Sequence, residues 1–280
     1  MPDPLPISVL LLARDETRRL EALLPALDFA REVVVVWDPR GDPRARAVAE
    51  RARARVFERR FDGFGPQRQF ALARCSEPWV LWLDADERLT PDSVEALRRP
   101  CGGAGPLPGA TGPAGFELPR RGWFLGTPIR FCGWGGERVL RLFQRARARF
   151  DGAPVHERVI VDGPVAVLEG ARIEHDSYAT WADCREKLVR YAAAGAERAR
   201  REGRRAGALD VILRPPLRFF RMYVLQLGFL DGAHGLVLCA LAAAQVFLKY
   251  AEVWEGNRTQ RRCGSGSGSG SGPDSGAAPA

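Results

Sequence analysis

The chain has 280 residues, 46% hydrophobic and 27% charged. That balance excludes a disordered or fibrous protein and leaves room for one large domain, or one domain with an appendage. The formal net charge of +8 suits an anionic partner such as nucleic acid, an acidic membrane or a phosphorylated substrate. No RNA-binding or zinc-finger signature accompanies the charge, so nucleic acid is not expected among the partners. None of the six cysteines lies in a CxxC pair. The opening "MPDPLPISVLLLARDE" has prolines and an acid where a secretory leader needs a basic start. Reduced thiols and a cytoplasmic location are therefore expected.

In chain order, the continuous apolar run 7–12 predicts a strand. Residues 17–27 predict a helix with Leu20, Leu23, Leu24 and Leu27 on one face. Residues 32–37 ("EVVVVW") predict a second strand, 43–53 a helix opened by its proline, 55–58 a third strand, 66–73 a helix and 79–83 a fourth strand. Strands apolar throughout and separated by helices indicate a parallel sheet covered on both faces, the α/β nucleotide-binding layout. The glycine-proline stretch 100–115 predicts a surface insertion. Short strands are expected at 115–119, 139–144, 155–161 and 165–173, and a long helix with arginines on its outer face at 180–202.

The following stretch is dense in apolar residues but interrupted by Asp231, Gly232 and His234. Its longest clean run, 236–248, is too short to span a bilayer comfortably. Arg214, Arg218 and Arg221 fall at i, i+4 and i+7 beside Phe219, Phe220, Met222, Tyr223 and Leu227. This is the pattern of a helix lying in the headgroup layer with its arginines on anionic lipid; helices packed on the domain or on a second subunit are the alternative. Residues 264–280, rich in glycine and serine, predict a tail without a core. The expected organisation is a catalytic domain over 5–178, a membrane-associating helical region over 179–256, and that tail.

The stretch "WVLWLDADERL" runs a buried strand into two aspartates, Asp84 and Asp86. Open α/β sheets bind ligands at the carboxyl ends of their strands. Two carboxylates placed there can hold a hard divalent cation that keeps water and takes diphosphate oxygens as further ligands. The alternative for the pair is a solvated turn ahead of the helix that begins near Pro91.

The ordered set "ISVLLLARDE", "VVVVWDPRGD", "GFGPQRQFAL" and "WVLWLDADERL", with the later "GAPVHE" and "IEHDSY", resembles the family 2 glycosyltransferases of the GT-A fold. The likeness is strongest to the branch that glycosylates the lipopolysaccharide inner core. The resemblance implies a Rossmann-like, mostly parallel α/β sheet followed by amphipathic, membrane-associated C-terminal helices. It implies a nucleotide-sugar donor, a UDP-hexose by preference, and Mg²⁺ or Mn²⁺. By position, Ala13, Arg14, Asp15 and Glu16 would line the nucleoside pocket. Asp38 would meet the base or ribose, and Asp42 would be the second acid of that loop, although "DPRGD" departs from the family's usual serine- and glycine-rich pattern. Gly63, Gly65, Gln67 and Arg68 match the segment beside the nucleotide. Asp86 would contact the metal most directly, with Asp84 near the ribose or a metal-bound water. Singly, Asp15 also reads as a helix cap, Asp38 and Asp42 as turn residues, and Arg68 as a surface arginine.

Inverting transfer needs a base to take the acceptor hydroxyl's proton. Carried over from the family, that base is Glu157, with Asp151 as the fallback; a surface acid paired with Arg158 is the other reading of Glu157. Gly133, Trp134, Gly135 and Gly136 resemble the loop that shapes the acceptor side. His175 would complete the metal shell, as imidazole can. The expected acceptor is a lipid-linked or phosphorylated oligosaccharide at the cytoplasmic face of the inner membrane, with lipopolysaccharide core first and another envelope polysaccharide second. The rivals are weaker. A haloacid dehalogenase-type phosphatase carries its Asp-x-Asp on the first strand and seldom has an arginine where Arg88 stands. A nucleotide-sugar-forming enzyme needs glycines that "LLARDETRR" lacks, and a non-catalytic nucleotide-sugar-binding module has no need of intact acids.

Overall fold

The computed structural model describes residues 3–102, 112–151 and 158–264, with side chains through residue 257. Two compact units emerge: one holds residues up to Arg130 and Trp134–Ser177, the other Phe131–Gly133 and the chain from Tyr178 on.

The first unit opens with β1 (Leu5–Ala13), α1 (Thr17–Leu23), β2 (Ala30–Trp37), α2 (Pro43–Arg51), β3 (Arg55–Glu58), α3 (Phe64–Leu72) and β4 (Trp79–Trp82). It continues with β5 (Glu87–Leu89), α4 (Pro91–Cys101), β6 (Gly115–Phe124), β7 (Thr127–Pro128), β8 (Arg138–Gln144), β9 (Ala148–Phe150), β10 (Val159–Val161), β11 (Val165–Val167) and β12 (Ile173–Tyr178). The main sheet runs β3-β2-β1-β4-β8-β6-β12-β5, with β7 and β11 on β6, while β9 and β10 form a separate pair. The first four strands are parallel to one another, and β8 joins β4 antiparallel. The Rossmann-like α/β layout expected from the alternating pattern is the one formed.

The unbroken apolar strands have a direct physical cause. Side chains alternate across a sheet, so a strand buried on both faces can carry no polar period. Leu5, Ile7, Val9 and Leu11 of β1 pack with Leu20, Leu23 and Leu27, with α2 and with α4. Leu10, with Val34 and Val36 of β2, packs on the opposite face against Ala71 and Leu72 of α3. Ser8 breaks the apolar run and is completely buried; its hydroxyl donates to the Glu32 carboxylate, which also accepts from Arg55 and Ser76.

Several elements differ from expectation. The helix expected over 17–27 ends at Leu23 and tightens into a 3-10 turn where Pro25 sits. The strand expected over 165–173 is two strands, because Gly170 adopts positive φ and turns the chain between β11 and β12. The strand expected over 155–161 is described only from residue 158, and the insertion over 103–111 lies outside the described residues.

The second unit contains α5 (Trp181–Arg201), α6 (Ala208–Phe220) and α7 (Gly232–Gly264). Thr180 caps α5 in a reciprocal capping box with Asp183. A π turn, Arg221–Leu225, extends α6. The helical hairpin of α6 and α7 is closed at one end by Asn257 Nδ2 donating to the Ala206 carbonyl at 3.3 Å. At the other end Gly228 is enclosed by the Met222 carbonyl and the thiols of Cys132 and Cys239. Cys75, Cys101, Cys132, Cys184 and Cys239 are all free and buried, as expected of reduced thiols.

The loops after β1 and β2 approach so closely that only glycine fits at 41. A Cβ there would stand 2.6 Å from the Arg14 carbonyl carbon. Gly41→Ala is expected to destabilise the first unit by about 1–3 kcal/mol through overpacking, read as a lower urea midpoint at unchanged slope.

Candidate active site

Asp84, Ala85 and Asp86 leave the carboxyl end of β4 in a turn. Glu87 N donates to the Asp84 carbonyl at 2.9 Å, and Asp84 N donates to Glu87 Oε2 at 3.1 Å. The turn folds β5 back beside β12, where His175 is opposite Glu87. Asp176 N also donates to the Asp86 carbonyl at 2.9 Å. This antiparallel pairing brings His175, distant in sequence, to Asp86: Nε2 stands 3.6 Å from Asp86 Oδ1. Arg19 of α1 places Nη1 3.6 Å from the other Asp86 oxygen. Ser177 Oγ stands 3.0 Å from the His175 ring nitrogens. Burial raises the Asp86 pKa, but His175 and Arg19 more than offset it and keep the carboxyl below its ordinary value.

Asp84 has different surroundings. Its Oδ1 accepts from Arg68 Nη2 at 3.2 Å and from the Trp82 indole N–H at 3.3 Å, and its Oδ2 accepts from Arg141 Nη2 at 2.8 Å. The two guanidiniums lie over the Trp82 ring, 4.1 Å and 3.9 Å from its centroid. Arg141 Nη2 also donates to Glu87 Oε1 at 2.6 Å, and Arg120 donates to the same oxygen at 3.2 Å. Glu87 is completely buried and Arg141 nearly so. Burial pushes the Asp84 carboxyl up, and the two arginines pull it well below the usual carboxylate range.

The remaining candidates ring the carboxyl ends of β1 and β2. Ala13 closes β1, and its carbonyl accepts from Asp38 N at 2.9 Å. Glu16 accepts from the backbone N–H groups of Arg14 and Asp15 at 2.6 and 2.9 Å. Asp15 Oδ1 accepts from Asp42 N at 2.9 Å, which ties the two loops together. Asp42 caps α2 by accepting from Arg44 N. Asp38 is buried and gripped by Arg40, whose Nε and Nη2 donate to its two oxygens at 3.0 and 2.8 Å. That pair holds the Asp38 pKa at about 2. Gln67 is buried on α3 and donates to the Arg59 carbonyl at 3.0 Å, while its Oε1 has no partner among the described residues. Trp134 covers Gly122, where a Cβ would clash with the indole ring. Glu157 lies outside the described residues. The flanking Asp151 accepts from Arg158 N at 2.7 Å and donates to its carbonyl at 3.0 Å.

The structure therefore gathers Asp84, Asp86, Arg68 and His175 at the end of β4, and Arg14, Asp15, Glu16, Asp38 and Asp42 on two adjoining loops. Sequence reasoning missed Arg141, Glu87, Arg120 and Arg19. Arg141 carried a signal, because an arginine inside "VLRLFQ" is a charge in an apolar strand and needs a buried partner.

Among the described residues no group of three or more His, Cys, Asp or Glu side chains could hold a metal ion. Asp86 and His175 supply one carboxylate and one imidazole. That donor set suits a divalent cation whose other ligands are diphosphate oxygens and water.

Residues 17–102 match the family model Glycosyl transferase family 2. The lipopolysaccharide core biosynthesis glycosyltransferase LpsC of Rhizobium meliloti (strain 1021) is 26% identical over 259 residues, covering 88% of this chain and 94% of that protein. Among solved structures, S. aureus TarS 1-349 is 13% identical with a TM-score of 0.40, covering 91% of each chain. Glucosyl-3-phosphoglycerate synthase from Mycobacterium tuberculosis, in complex with Mn²⁺, uridine diphosphate and phosphoglyceric acid, is 20% identical with a TM-score of 0.33, covering 50% of this chain and 56% of that one.

Two tests follow from the charges. Arg141→Met leaves Asp84 and Glu87 short of a buried counter-charge and is expected to cost about 3–5 kcal/mol in chemical denaturation, with Arg141→Lys intermediate. Because the Asp38 pKa is depressed from 3.8 to about 2, its ion pair adds stability above the unfolded value and loses it as pH falls through that window. Asp38→Asn is expected to flatten the denaturation midpoint against pH between about 4 and 2; an unchanged slope would refute the pairing.

The matched segment contains α1 through the acidic turn after β4 and on into α4; it is to glycosyltransferases that the chain is similar, residues 17–102 matching the family 2 model and nearly the whole chain matching LpsC.

Proposed function

We propose that the protein is a metal-dependent inverting glycosyltransferase. It moves a sugar, a hexose by preference, from a uridine diphosphate donor to a lipid-linked or phosphorylated oligosaccharide of the cell envelope, with lipopolysaccharide core as the first candidate acceptor. The observation that carries this reading is the approach of His175 to Asp86 at the rim of the sheet, Asp86 lying among the residues that match the family 2 model. The near full-length similarity to LpsC supports the choice of acceptor class.

Asp86 and His175 would hold Mg²⁺ or Mn²⁺. When bound, the cation neutralises charge that grows on the departing diphosphate. Asp84 is already committed to Arg68 and Arg141, so its part is to fix the turn that aims Asp86, in place of the ribose or metal-water contact the resemblance implies. The loops carrying Ala13, Arg14, Asp15, Glu16 and Asp38 would receive the nucleoside, and the unpartnered Gln67 Oε1 offers an acceptor for it. Glu157 would take the acceptor hydroxyl's proton as that oxygen attacks the anomeric carbon. A one-step displacement of this kind inverts the anomeric centre. Arg68 and Arg141 add positive charge beside the leaving group without spending a proton.

Transfer to the cytoplasmic face of an anionic membrane accords with the net charge of +8. The experiment is a nucleotide-sugar panel, UDP-glucose first, scored for donor hydrolysis with Mn²⁺ and with chelator. Asp86→Ala is expected to lower turnover at least about 10²-fold while the fold survives. His175→Ala should raise the Mn²⁺ concentration needed for half-maximal rate. Full activity of the Asp86 variant, or chelator-insensitive hydrolysis, would overturn the proposal.

A further inference from the structure

Asp86 already faces a cation of the chain's own. Arg19, the third residue of α1, places Nη1 3.6 Å from Asp86 Oδ2, with the arginine side chain 32% and the aspartate side chain 16% exposed. The helix brings it there by simple geometry. Residues i and i+4 share a row, and side chains lean towards the helix N-terminus. Leu23, one turn after Arg19, packs with β1 in the core. The earlier position on that row therefore comes out where β1 ends and the chain enters α1. Two hydrogen bonds fix this first turn: Leu20 N donates to the Glu16 carbonyl at 2.9 Å, and Thr17 Oγ1 donates to Asp42 Oδ2 at 2.9 Å. The neighbouring Arg18 is exposed.

Arg19 differs from the arginines of the scaffold. Arg141 and Arg68 are buried and meet Asp84 at 2.8 and 3.2 Å. Moving either would leave a carboxylate at the strand exit uncompensated. Arg19 is partly in solvent, and among the described residues it pairs with no acid besides Asp86. The proposed function gives that same carboxylate to a divalent cation. A guanidinium and a divalent cation on one carboxylate repel each other, so the two compete for Asp86. With the cation on Asp86 that acid stays compensated, and Arg19 needs another anion. A diphosphate brings one to the same rim, and the planar guanidinium fork matches phosphate oxygens two at a time.

We infer that Arg19 is a diphosphate-binding residue held in waiting: it balances Asp86 while the site is empty and passes to the donor's diphosphate oxygens when Asp86 accepts the cation. One guanidinium then answers to both ligands. Cation and diphosphate bind better together than apart, and each improves the other by the same factor. This inference rests on the proposed uridine diphosphate donor and its cation, and adds the residue that couples them.

The test is calorimetry on the purified full chain, titrated with Mn²⁺, with UDP, and with UDP in saturating Mn²⁺. The wild type is expected to bind UDP more tightly with Mn²⁺ than without it. Arg19→Gln should bind Mn²⁺ alone about fivefold more tightly and UDP in Mn²⁺ about tenfold less tightly, within the usual range of coupling between two sites. A gain in Mn²⁺ affinity cannot come from a damaged fold. Arg19→Lys keeps the competing charge but not the fork, so its Mn²⁺ affinity should match the wild type while UDP stays weakened. Arg18→Gln removes the same charge from the exposed position next door and should leave both affinities unchanged. Mn²⁺ binding that Arg19→Gln leaves unchanged or weakens would overturn this inference alone, as would an Arg18→Gln variant that behaves like Arg19→Gln. Failure of the wild type to bind Mn²⁺ or UDP would overturn the proposed function, and this inference with it.

Discussion

The contact of the buried Arg141 with Asp84 and Glu87 is the constraint on which the candidate site depends. Two carboxylates converge on one guanidinium, and Arg68 and Arg120 bracket it from α3 and β6. Burying any one of these charges alone would be very costly, so they are stable only as a set. The set joins β4, β5, β6, β8 and α3 across the exit of the central strand. Trp82 lies beneath both Arg68 and Arg141, so the side chain that ends the apolar strand is also the platform on which the charges are stacked. The rigidity of the turn thus comes from electrostatic saturation, with apolar packing supplying the strand that leads to it.

The two aspartates differ in their surroundings. Asp84 has both oxygens on arginines, while Asp86 faces His175 and Arg19, each 3.6 Å away. The loops after β1 and β2 follow the same logic. Asp42 and Asp15 are consumed in joining the loops after β1 and β2, and Arg40 neutralises Asp38. These acids shape the rim, and the backbone and side-chain groups left over are what a ligand would meet.

Much of the parallel half was legible in the sequence, because strands covered on both faces write themselves as unbroken apolar runs such as "EVVVVW". The antiparallel half was less so. β5 and β7 are three and two residues long, and β11 and β12 are separated by a turn at Gly170 that depends on one positive φ. Short strands are defined by their partners, and no local pattern announces them. The site divides in the same way. Asp84 and Asp86 follow directly from a strand ending in acids. That Glu87 would be completely buried, and that Arg19 would reach Asp86 from α1, depends on tertiary pairing that no spacing encodes. Even Arg141, visible as a charge in an apolar strand, does not disclose its partner without the register of β8 on β4.

Asp84 and Asp86 raise the last question: why two like residues, one position apart, have opposite fates. In an extended strand, i and i+2 share a face and would compete for the same partner. The main-chain bond from Glu87 N to the Asp84 carbonyl turns the chain between them, and the pairing of Asp176 with the Asp86 carbonyl fixes the direction of the second. Asp84 therefore points into the arginine cluster and Asp86 towards β12. The Asp-x-Asp spacing thus puts one carboxylate among the arginines and one beside His175, and Glu87 sustains it by accepting from the Asp84 amide while balancing Arg141. Moving Asp84 by one residue would leave the buried Arg141 and Arg68 short of a counter-charge, so the spacing is held by the folding of the turn.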